Sequence, residues 1–186
     1  MKHNYKVQTM VISALLCAIG IVIPMVSPRI VIGPASYTLA SHVPIFIAMF
    51  ISPVVAVSVA LITGFGFLFA GFPFVVVLRA LSHLLFAFIG AQLIKKHGNI
   101  LYSVKGFAFF GLFTAILHAL GEVIVVTFFY WGNNMSGAYY QQGYWISVMA
   151  LVGLGTIVHS MVDLGIAVFV WKHVQSVIKI PVCAKI

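Results

Sequence analysis

The sequence predicts an all-α integral membrane protein, a bundle of six transmembrane helices with both termini in the cytoplasm. Three observations predict it. Of 186 residues, 63% are hydrophobic and only 6% charged, against roughly a quarter charged in an ordinary soluble domain. Apolar runs of membrane-spanning length recur along the whole chain. The lysines are clustered: Lys2 and Lys6 precede the first apolar run, Lys95, Lys96 and Lys105 flank one connection, and Lys172, Lys179 and Lys185 lie near the C-terminal end. An even number of spans with this bias places those segments on the cytoplasmic side. The formal net charge is +8. It sits at helix ends, where anionic lipid headgroups are the natural counter-charge, and forms no basic patch interleaved with aromatics, so nucleic acid is not an expected partner.

The first helix is expected from about Val7 to Val26, stopped by Pro28. Its basic start and apolar centre resemble a secretory signal, but no A-x-A-like cleavage site follows, so a retained helix is expected. A loop, "SPRIVIGPASYTLA", covers 27–40. A second helix, about Ser41 to Ile51, is too short to span alone, and Pro53 marks a tight turn into a third, to about Ala70. "GFP" at 71–73 turns into a fourth, ending at Lys95. "KKHGNILYSVK" leads to a fifth, about Gly106 to Tyr130. A polar, aromatic loop, "WGNNMSGAYYQQGYW" at 131–145, leads to the sixth, about Ile146 to Lys172. The connections at 27–40, 70–73 and 131–145 are expected outside. No repeat interrupts residues 1–186, which read as a single transmembrane domain. Cys17 and Cys183 are too separated to suggest a disulfide framework or a zinc site.

Three polar pairs lie inside the expected spans: Arg79 with His83, His118 with Glu122, and His159 with Asp163. Each has i,i+4 spacing, which puts both members on one helix face. Glu122 and Asp163 are the only acids in the chain. Ionisable groups in a bilayer are costly and mark pathways, partners or binding sites. At about 1.5 Å per residue, Arg79 lies roughly 9 Å and Glu122 roughly 12 Å below the outer ends of their helices, whereas Asp163 lies roughly 25 Å along the sixth. Arg79 and Glu122 can therefore share a level, either as a buried ion pair or as a binding site. His159 and Asp163 are expected deeper, in a structural role. Histidine with a carboxylate at i,i+4 can also bind zinc or nickel, but the bare spacing carries little information, and no metal site is expected. The 131–145 loop interleaves Asn133, Asn134, Gln141 and Gln142 with Tyr139, Tyr140, Tyr144 and Trp145, and "GPASYTLASH" at 33–42 adds Ser36, Tyr37, Thr38 and His42. Such rings can form an interfacial belt or a lid over a small polar ligand.

The first helix carries "SALLCA", in which Ala14 and Ala18 make an A-x-x-x-A motif. With six helices, basic inner ends and outward polar loops, the chain resembles the S components of energy-coupling-factor (ECF) vitamin transporters. "VIGPASYTLASHVPIFIAMFISPVVA" and "GFPFVVVLRALSHLLFA" look most like the niacin-specific branch, with the pantothenate-specific branch nearest to it. The resemblance implies a multi-pass cell-membrane protein that binds a small carboxylated vitamin and is not an enzyme. It implies a coupling transmembrane subunit, docked against Ala14 and Ala18, and two cytoplasmic ATPases. No G-x-x-x-x-G-K-[ST] phosphate loop occurs, so ATP hydrolysis falls to those partners, and no cofactor is expected in this chain. On this reading Arg79 receives the carboxylate. His83 meets a ring nitrogen or the second carboxylate oxygen, and Glu122 orients them. Tyr37, His42, Asn133 and Trp145 close the wall. Alternatives are another vitamin, a metal-ion S component, or an intramembrane metalloenzyme. "HSMVD" at 159–163 resembles one motif of the last class, but no Glu-Glu pair accompanies it.

Overall fold

The computed structural model describes residues 5–177 and 180–186. Lys2 and Lys179 of the lysine pattern lie outside the described residues. The order is α1 (Tyr5–Val26), β1 (Arg29–Ile32), β2 (Ala35–Thr38), α2 (Val43–Ile51), α3 (Pro53–Phe69), α4 (Phe74–Lys96), α5 (Val104–Trp131) and α6 (Gly137–Tyr144). A π-helical stretch (Trp145–Leu154) then runs into α7 (Gly155–Val174). Among the described residues, Tyr5–Val26, Phe74–Lys96, Val104–Trp131 and Gly137–Val174 are long and apolar enough to cross a membrane, and α3 is a shorter apolar helix. The protein is a predominantly helical, multi-pass membrane protein.

The nine-residue α2 is the centre of the molecule. It packs against α1, α3, α4 and α7, and every residue in it except Ile47 is buried. A helix apolar on all sides belongs in a core. At about 1.5 Å per residue, its length reaches only about halfway through a bilayer's hydrocarbon. Pro44 and Pro53 occupy first-turn positions of α2 and α3, where a missing N–H costs nothing. Between them Ser52 is extended, and its hydroxyl accepts from Val55 N at 3.2 Å. The surrounding helices turn apolar side chains outward, among them Met10, Val54, Phe69 and Phe128, as lipid requires.

Small residues set the close approaches. The Ala56, Ala60 and Gly64 seam of α3 is buried. A Cβ on Gly64 would fall 2.5 Å from Leu81 Cδ2 of α4, so α3 and α4 touch there. A Cβ on Gly121 of α5 would fall 3.0 Å from Ser82 Oγ, which brings α5 against the Arg79–His83 face of α4. Ala14 and Ala18 instead lie exposed, on the other side of α1 from buried Leu16, Cys17 and Gly20.

Two segments differ from the sequence expectation. Residues 29–38 form an antiparallel hairpin, Ile32 opposite Ala35, where a loop was expected. Its two-residue turn starts at Gly33 with φ 54°, the positive φ a tight hairpin needs. Residues 137–144 form α6 rather than open loop. The end of the chain folds back: Cys183 N and Ala184 N donate to Phe50 O at 3.0 and 2.9 Å, and Trp171 Nε1 donates to Ala184 O at 3.3 Å. This backbone takes up orphan carbonyls at the end of α2.

Candidate functional site

A cavity of about 530 Å³ lies among the hairpin, the α3–α4 turn, the α6 region and the helices beneath them. That is the size of a small-molecule site. Of the sequence candidates, Arg79, His83, Glu122, Tyr37 and His42 line it.

Arg79 projects from α4 and donates from Nη2 to Glu122 Oε2 at 2.8 Å. Thr156 of α7 donates to the same oxygen at 2.7 Å. The other oxygen, Oε1, lies 3.4 Å from His83 Nε2 and 3.6 Å from His118 Nε2. Glu122 is thus the hub joining α4, α5 and α7, and it is only 4% exposed. Arg79 keeps capacity in reserve: its Nε is buried without a partner. Thr63 Oγ1 of α3, also in the lining, is likewise buried and unpartnered.

The second carboxylate belongs to the same assembly. Asp163 is fully buried and accepts from Ala40 N at 2.9 Å through Oδ1. Through Oδ2 it accepts from His42 N at 2.9 Å, and His42 Nδ1 stands 3.0 Å away. It therefore supplies, from α7, the acceptor that α2 lacks at its own start, where the carboxylate also suits the helix dipole. His159 Nε2 lies 3.4 Å from Asp163 and 3.1 Å from Ser41 Oγ, and its side chain lines the cavity. This corrects the expectation that His159 and Asp163 sit apart from the site. The count from Ile146 assumed a regular α-helix. Instead the last helix begins in a π-helical stretch, and the segment after the hairpin packs against Asp163.

Four imidazoles converge here. The His42 ring centroid is 4.8 Å from that of His83, 4.4 Å from His118 and 5.0 Å from His159. His83 and His118 are 4.6 Å apart.

Two candidates are placed elsewhere. Asn133 has φ 56° and ends α5: its N–H donates to Tyr130 O at 3.2 Å, and Asn134 N–H donates to Phe129 O at 2.9 Å. Asparagine is among the few side chains suited to that left-handed stop. Its exposed side chain is absent from the lining, whereas Asn134 contributes to it. Trp145 is 74% exposed, because α6 turns Tyr139 inward and leaves Trp145 on the outer surface. Tyr139, Thr156, Thr63 and Arg29 also line the cavity; of these, only Tyr139 was named from sequence, among the loop aromatics. Tyr139 belonged to the recognised aromatic loop, but hydroxyls such as Thr63 and Thr156 give no spacing signal. The Tyr37 hydroxyl donates to Leu151 O in the π-helical stretch, and Gly155 leaves room for the Tyr37 ring.

Comparison with known proteins adds one relative. The chain is 40% identical over 163 residues to the niacin transporter NiaX of Lactococcus lactis subsp. cremoris (strain MG1363), covering 87% of this chain and 72% of that protein. The chain belongs to this transporter family. That agrees with the resemblance to the niacin-like branch of ECF S components carried by its own motifs. No family model and no solved structure matches the chain. A transporter homologue and the apolar helices make this a membrane transport protein and not an enzyme.

Proposed function

We propose that the chain is the substrate-binding subunit of an ATP-driven ECF transporter and that its ligand is nicotinate, with pantothenate the nearest competitor. The observation that carries this is the convergence of Arg79, His83, His42 and Glu122 on one cavity. The relative's name points to niacin, and the site has the chemistry for a small ring acid. A guanidinium grips a carboxylate through paired donors that lysine cannot reproduce. Arg79 shares one donor with Glu122 and has Nε unpartnered. Glu122 limits uncompensated charge before the ligand arrives, and His83 meets the ring nitrogen or the second oxygen.

In the proposed topology α1, α2, α3, α4, α5 and the helix ending in α7 form the six-helix bundle. The termini and the 97–103 connection face the cytoplasm, and the cavity opens outward. The chain has no nucleotide-binding loop of its own, so uptake requires a coupling subunit, docked on exposed Ala14 and Ala18, and two ATPases.

Calorimetry of the purified chain with nicotinate, nicotinamide and pantothenate tests the reading. Nicotinate is expected to bind and nicotinamide, lacking the negative charge, to bind poorly. Equal affinity for acid and amide would remove Arg79 from carboxylate recognition, and tighter binding of pantothenate would reassign the vitamin.

A further inference from the structure

Two carboxylates, Glu122 and Asp163, stand beside the clustered imidazoles, and Arg29 and Arg79 are both in the cavity lining.

We infer that His42, His83 and His118 form a binding site for a divalent transition metal of the zinc class, with one coordination position left to a donor atom of the ligand. One nitrogen from each of the three rings lies within 4.8 Å of the other two. Zinc–nitrogen bonds of about 2.0–2.1 Å put tetrahedral ligand atoms about 3.3 Å apart, so modest ring rotations close the site. Three neutral imidazoles with an open fourth position suit zinc and its neighbours.

The surroundings fit metal ligation. His42 has Nδ1 3.0 Å from Asp163 Oδ2. That contact orients the ring and leaves Nε2 as the electron-pair donor, the usual carboxylate support of a metal-bound histidine. Glu122 flanks the other two rings. His118 supplies the independent observation: it is 1% exposed, and neither of its ring nitrogens has a hydrogen-bond partner. Its 3.6 Å separation from Glu122 is too long for a hydrogen bond. A buried ring with two idle nitrogens among other imidazoles has an unmet ligand chemistry.

His42, His159 and Asp163 offer a second group of the same size. There, however, both Asp163 oxygens already hold the backbone before α2, so Asp163 positions His42 rather than ligating. A divalent ion beside Glu122 and Asp163 offsets their negative charge, and its open position takes a donor atom of the ligand. The ligand's part in this rests on the proposed vitamin-binding reading; the metal's does not.

The test uses the full chain purified through a tag without histidines. Metal content is read by plasma mass spectrometry. Nicotinate affinity is read by calorimetry before chelation with EDTA, after it, and after zinc is returned. One zinc-class ion per chain is expected. Chelation should weaken nicotinate binding roughly tenfold or more, and zinc should restore it. His118→Ala, at a residue outside the cavity lining, should lose the metal and bind nicotinate like the chelated parent, with no added loss on chelation. Chelation of the parent protein keeps the test independent of whether the variant folds. If the parent neither retains nor takes up zinc, and chelation leaves nicotinate affinity unchanged, the inference is overturned while the vitamin reading stands. If zinc binds but nicotinate binds in neither state, the metal site stands and the vitamin reading falls.

Discussion

The two ends of α2 solve the same problem in opposite ways. A helix buried in a membrane protein leaves donors at its start and acceptors at its end without partners. At the start, Asp163 takes the N–H groups of Ala40 and His42, and the same carboxylate orients the His42 ring in the cavity. At the end, the chain's own tail supplies backbone N–H groups from Cys183 and Ala184. One end is satisfied by a side chain that also builds a site. The other is closed by peptide groups with no charge to respond to a ligand. The difference teaches where function can reside: only the cavity end couples the integrity of the core to the state of a binding site.

That comparison can be broken most sharply at Asp163. Asp163→Ala removes the acceptor for two backbone donors and His42 together, and is expected to destabilise the protein by about 3–5 kcal/mol. Vitamin affinity should fall as well. Thermal unfolding in detergent with calorimetry checks both, and retained stability with full affinity would make the α2 start no different from its end. Next comes Arg79→Ala, expected to weaken nicotinate binding by roughly 30-fold or more. Arg79→Lys should restore it only in part, and wild-type-like binding of acid and amide by Arg79→Ala would leave the arginine a structural partner of Glu122. Removing residues 181–186 should cost about 1–3 kcal/mol of stability, from the exposed carbonyls of α2, while leaving affinity unchanged; a large affinity loss would couple the tail to the cavity. Ala14→Trp or Ala18→Trp should impair uptake in cells with little effect on affinity, since the bulk blocks a helix contact remote from the cavity. Equal loss of binding and uptake would mean that this face packs internally. The smallest effect is expected for Trp145→Ala, whose affinity should match the parent within experimental error because its ring lies outside the lining.

The helices were legible because their signals are local. Hydropathy gave each apolar run, Pro53 marked the turn into the third helix, and i,i+4 spacing put Arg79 with His83 and His118 with Glu122 on single faces. Arg79 and Glu122 share a level, as helix rise alone indicated. The same reasoning misplaced His159 and Asp163, because rise per residue measures depth only along a regular helix. The polar loops were visible as composition, but composition does not say which side chains turn inward. Asn133 became a helix stop, Trp145 faced outward, and Tyr139 entered the wall.

By itself, the sequence determined a predominantly helical membrane protein with its few ionisable groups in helix-borne pairs, since burying a charge in lipid is costly wherever the chain runs. Only the tertiary structure decided that His42, from the short connection before α2, stands among His83, His118 and His159, and that Asp163 holds that connection in place. Spacing along a helix assigns a residue to a face. Which faces meet depends on close approaches at Gly64 and Gly121, on the hairpin, and on the buried α2, where packing between distant segments decides the neighbours.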